Sequence, residues 1–104
     1  MNYSYDPREV AAELDLPLEM IKESVIGFIE QANEYYDDLL TILETGDYNN
    51  IHILSEKLYG IAAGLAVKYA LEAITIIKDS KDADVLEINI RRFYMAISRL
   101  ESMV

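Results

Sequence analysis

His52, the single histidine of the chain, stands one helical turn before Glu56 and five residues before Lys57. A neutral imidazole nitrogen is a nucleophile near neutral pH, and a neighbouring cation can hold an incoming anion, so this run is where group transfer would be sought. Little else in the sequence offers chemistry. The absence of cysteine excludes a disulfide framework, a thiolate zinc or iron–sulfur site and a cysteine nucleophile. One histidine likewise removes multi-histidine metal sites. The acid-rich stretches Glu34–Asp38 and Asp79–Asp84 attract divalent ions but lack the glycine and ligand spacing of a calcium loop. They read as solvated faces, and neither metal nor cofactor is expected. The tyrosines, Tyr35, Tyr36 and Tyr69 among them, read as half-buried packing residues rather than a stacking platform.

The elements that position His52 and Glu56 must come from one small domain. With 104 residues, 52% hydrophobic and 27% charged, the chain builds a single core and a single domain over residues 1–104. Folding at this size buries on the order of 65% of the unfolded surface, enough to hold without a metal or disulfide. Nineteen acidic residues against nine basic leave a formal charge of −10, which repels phosphate backbones and anionic lipid alike. Neither nucleic acid nor a membrane is an expected partner. The apolar run Ala70–Ile77 is broken by Glu72 and falls far below spanning length. Met1–Asp6 lacks the basic start and apolar stretch of a signal peptide, so a cytoplasmic protein is the expectation.

Punctuation is sparse and falls where helices start or stop. Asp6 is a cap-type residue, Pro7 suits the first helical position and Glu9 follows three residues after the cap, which predicts a short helix over about 7–14. Leu16-Pro17 breaks it. From Leu18 the apolar positions Ile21, Val25, Phe28, Ala32, Tyr35, Leu39 and Ile42 step by fours and threes up to Gly46. Asp47 can cap the next helix, where Ile51, Leu54, Leu58, Ile61 and Leu65 repeat the stepping. Val67, Leu71, Ile74 and Lys78 continue it after a bend or restart near Ala66, and Asp79–Asp82 forms a turn. Leu86, Ile90, Phe93, Ile97, Leu100 and Val104 line a final helix. No strand-like alternation persists. The prediction is all-α: an up-and-down four-helix bundle at about 18–45, 48–66, 67–79 and 83–103, with the short helix in front.

On a wheel with Glu56 at zero, the apolar residues of the third helix cluster around roughly 180°, while Gly60, Ala63 and Gly64 lie within about 80° of Glu56. Glu56 is therefore expected to point straight out. Two glycines on an exposed helix face cost about 1 kcal/mol each relative to alanine, and the close approach of another surface is a reason to keep them. The alternative is that Gly64 marks the bend before Ala66.

The run Asp47–Leu65 resembles the histidine-containing phosphotransfer (HPt) domains of bacterial multistep phosphorelays. Their pattern has an Asp, an apolar residue four positions on, and nine positions after the Asp the phospho-accepting His in His-x-Leu-Lys-Gly followed by small residues. Asp47, Ile51, Leu58, Gly60, the small residues Ala62, Ala63 and Gly64, and Leu65 fall on it without a gap. The resemblance covers about residues 18–104 and implies an HPt-like bundle. Glu56 stands where the phosphorylated His would stand, and Tyr59 where the Lys that helps hold the phosphoryl group would stand. A carboxylate does not replace the imidazole as a reversible phosphate carrier, and it adds repulsion of several kcal/mol toward phosphate at short range. The resemblance thus implies a non-enzymatic module that keeps a docking face, comprising Glu56, Lys57, Tyr59, Gly60, Ala63 and Gly64, without accepting phosphate. Its partner would be a response-regulator receiver domain or a hybrid histidine kinase.

Rival readings attach to the same residues. His52, on the outward side and free to pair with Glu56, is an alternative acceptor with Lys57 as helper. Against it, one turn displaces the site by about 6 Å, and phosphoryl transfer loses large factors for misplacements of about 1 Å. Glu56 as a fixed imitation of phosphohistidine has too little charge and reach. A third reading is structural: the Gly60/Gly64 face packs against an identical chain to give a homodimer.

Overall fold

The computed structural model describes residues 5–103, and the expectations resting on Met1–Ser4 and on Val104 lie outside them. Five helices and no strand are present among the described residues: α1 (Pro7–Leu14), α2 (Leu18–Thr45), α3 (Tyr48–Gly64), α4 (Lys68–Ile77) and α5 (Ala83–Ser102). Several boundaries have a local cause. The Asp6 carboxylate accepts from the Arg8 amide at 3.0 Å with Pro7 at the first turn, Asp47 accepts from Asn50, and Asp82 accepts from Asp84 and Val85. Gly46 closes α2 at φ +74, the left-handed conformation that glycine adopts without steric cost.

The helices α2 to α5 pack in ring order, each against its neighbours in sequence and α5 back against α2, with no contact across the diagonals, while α1 leans on α2. The result is an all-α bundle measuring 42 × 24 × 19 Å. Its core holds Phe28, Leu39, Ile51, Leu58, Ile74, Ile90 and Phe93, all within about 1% of full burial. No helix among the described residues is long and apolar enough to cross a membrane.

Two expected stripes shift. On α4 the buried set is Ala70, Ala73, Ile74 and Ile77, so Leu71 is half-buried and Lys78 stands at the helix end beside α3. On α3 the buried set is Ile51, Ser55, Leu58 and Ala62, with Leu54, Ile61 and Leu65 only half-buried. The buried arc is thus centred about 50° from where the apolar residues alone put it. Ser55 and Ala62 on α3 and Ala70 and Ala73 on α4 are all buried although they carry little hydrophobic weight, and α3 and α4 pack against each other. The Ser55 hydroxyl donates to the Ile51 carbonyl at 2.7 Å, so its burial leaves nothing unpaired.

The bend after α3 belongs to Ala66, at φ +57, and not to Gly64, whose backbone is helical. A left-handed alanine carries Cβ strain of about 1 to 2 kcal/mol. Ala66→Gly should therefore raise stability by about 0.5 to 1 kcal/mol in urea unfolding, despite the entropy glycine adds to the unfolded chain.

The same corner is strapped from the N-terminal side. The Tyr5 hydroxyl donates to the Leu65 carbonyl at 2.7 Å, and burial pushes the phenol up to about 12. The fold binds the neutral phenol, so its contribution is complete below the unfolded value of about 10 and is lost as pH rises through about 12. Tyr5→Phe should cost about 1 kcal/mol at neutral pH and flatten the fall in stability between pH 10 and 12.

Candidate functional site

The rotation of α3 redistributes the residues that the sequence singles out. Its outward pole falls between Gly60 and Ile53, not at Glu56. Gly60, Ala63 and Gly64 are exposed, and a Cβ built on Gly60 or Gly64 would meet no atom within 4 Å. The backbone of α3 is therefore bare over its last turn and a half. Ile53, on the same face and 54% exposed, steps out of the apolar register of α3; a lone isoleucine at an otherwise polar helix position is the signal that marks it.

Glu56 is exposed, as expected, and lies on the α4 side of the pole. Its Oε1 sits 3.3 Å from Nζ of Lys78, which in turn lies 4.8 Å above the Tyr59 ring. Glu56 holds the Lys78 ammonium above its usual value, chiefly through this hydrogen bond and its charge. Tyr59 is half-buried, its ring packed against the core beneath that ammonium. Lys78, supplied by a different helix, was not legible as a site residue because its position relative to α3 depends on how α4 packs.

His52 departs from the expectation of a solvent-facing side chain paired with Glu56. It is half-buried, and its Nε2 lies 2.7 Å from the Ser80 carbonyl in the α4–α5 turn. A carbonyl only accepts, so Nε2 carries the proton and donates. The 50° rotation brings this residue toward the core side, where the turn meets it. Lys57 is exposed on the opposite flank of α3, where it borders a groove of about 410 Å³ against α2, lined also by Asp38, Ile42, Asn50 and Ile53. The predicted site residues are therefore split: Glu56 and Tyr59 face Lys78, Lys57 faces α2, and the small residues lie between.

Among the described residues no group of three or more His, Asp or Glu side chains is placed to hold a metal ion. No protein-family model, no curated protein and no solved structure matches the chain.

Because nothing opposes a side chain at Gly60, alanine there should stabilise α3 by about 0.5 to 1 kcal/mol, and leucine by a comparable amount, in chemical denaturation. A glycine required for packing or for a bend would give the opposite sign.

Proposed function

We propose that this chain is an HPt-like docking module of bacterial phosphorelay signalling. It is a cytoplasmic pseudo-phosphotransfer protein that binds a response-regulator receiver domain, or the receiver of a hybrid kinase, without accepting phosphate. The observation that carries the reading is the bare pole of α3. Gly60, Ala63 and Gly64 lie open beside Glu56, which occupies the motif position of the acceptor His. A surface that lacks side chains over more than one turn lets a partner backbone approach, and its helix propensity cost has no packing role inside the domain.

The chemistry of the flanking groups supports the absence of transfer. The Glu56 carboxylate is a poor reversible phosphate carrier, and the nearest cation, Lys78, is already engaged by it. The Nε2 of His52 donates to the Ser80 carbonyl, so the lone pair that would attack a phosphoryl group is not available on that nitrogen. Neutralised by Lys78, Glu56 adds little net repulsion toward an acidic partner surface.

The test incubates the chain with a panel of phosphorylated receiver domains and follows both binding and label. Wild type should bind at least one receiver and take no label. The variant Glu56→His with Tyr59→Lys should take label from that same receiver, with a thermal midpoint lowered by the loss of the half-buried Tyr59 ring and of the Glu56–Lys78 pair. Gly60→Leu should fold at least as stably as wild type and lose receiver binding by steric clash. Label on wild type that disappears in His52→Gln would replace the docking reading with an active phosphotransfer protein.

A further inference from the structure

The two flanks of α5 differ in character. Asp84 and Glu87 line the groove against α2, Tyr94 stacks on Tyr36, and Glu101 falls on that side of the helix, so all three carboxylates of α5 lie toward α2. Arg91 pairs with Glu87 there. The opposite flank, beside α4, carries Val85, Ile88, Arg92, Met95 and Arg99 at steps of three and four, an apolar and basic stripe without a carboxylate. Ile88 is 59% exposed and Met95 51%. Exposed Ile76, on the side of α4 turned away from Lys78 and α3, extends the apolar surface across the α4–α5 turn. In a chain with nineteen acidic residues against nine basic, this flank reverses the prevailing charge.

Arg92 stands at the middle of the stripe, and its side chain is held in place. Its Nη1 donates to Oδ1 of Asn89 at 3.0 Å, and the buried Asn89 in turn donates from Nδ2 to the Val85 carbonyl at 2.9 Å. A leucine at position 89 would bury more apolar area; the asparagine instead fixes a guanidinium. That group has five N–H donors in a planar fork, so the bond to Asn89 leaves others for a second acceptor. No carboxylate among the described residues pairs with it. Arg99 already has a partner within the chain and adds only its charge.

We propose that this flank docks an amphipathic helix of a partner protein, which sets an aspartate or glutamate on Arg92 between apolar side chains that cover Ile88 and Met95. Charge and shape select that occupant. An oriented arginine ringed by apolar groups has the form of an interface anchor, and a carboxylate is the acceptor that its fork fits. A second copy of the chain is disfavoured, since antiparallel pairing of the stripe with itself centres Arg92 on Arg92. An anionic lipid surface is opposed by the formal charge of −10. The site is separate from the α3 face, because α3 and α5 stand diagonally across the bundle and make no contact.

The stripe spans about 21 Å, short of a standard interface, so association belongs in the micromolar range. The test selects helical peptides of about 18 residues, randomised on one face, for binding to the full chain, and then measures the enriched peptide against variants. Enriched sequences should place an acid between apolar residues at helical spacing. Their binding should fall about tenfold or more in Arg92→Gln and in Ile88→Ser, and less in Arg92→Lys, which keeps the charge without the fork. Amide shifts that the peptide moves in wild type should cluster at Ile76 and along 85–99, and this map decides alone should a variant fail to fold. Enrichment of basic peptides, enrichment of none, binding indifferent to Arg92→Gln, or shifts centred on α3 each overturns the proposal. Self-association abolished by Ile88→Ser would assign the flank to a second copy. Binding to vesicles of phosphatidylcholine with phosphatidylglycerol, lost in the same variant, would assign it to lipid, and either result also overturns the proposal.

Discussion

The turn of α3 about its own axis, which buries Ser55 and Ala62 and leaves Leu54 and Ile61 half-buried, is the constraint on which the rest of the site depends. With Ser55 and Ala62 buried, the core-facing arc of α3 turns by about 50° from the line its leucines and isoleucines define. Three consequences follow from that single rotation. The glycine face becomes the outward pole, Glu56 swings into reach of Lys78, and His52 is carried against the carbonyl of Ser80. None of these residues chooses its environment locally. Each takes the position left to it once the buried arc of α3 has settled against its neighbours.

The extent of the helices was legible from the sequence because it is decided by short-range signals. Asp6-Pro7, Pro17, Gly46 and Asp47 each act within about one turn of where they stand, through dihedral limits or a cap hydrogen bond. The buried stripe of α5 was legible for a related reason: Leu86, Ile90, Phe93, Ile97 and Leu100 are large, so area and apolar character point the same way. On α3 and α4 they part company. Alanine and serine contribute little transfer free energy, yet geometry favours them where helix axes are close, and a hydrophobic wheel gives them almost no weight. The pairing of Glu56 with Lys78 lay further out of reach, because it joins residues 22 apart through the packing of two elements.

The rotation also bears on how a carboxylate is tolerated at position 56, where the proposed resemblance would set an imidazole. An exposed Glu56 with no partner would place a fixed negative charge at the centre of the proposed docking face of a chain that already carries −10. Lys78 removes that charge without occupying the glycine pole, since it reaches Glu56 from the α4 side and rests over Tyr59. The face is thus locally neutral and sterically open at once. A lysine at position 59 itself would have supplied the same charge, but from within α3, where it would be free to move over the bare backbone rather than being drawn away from it.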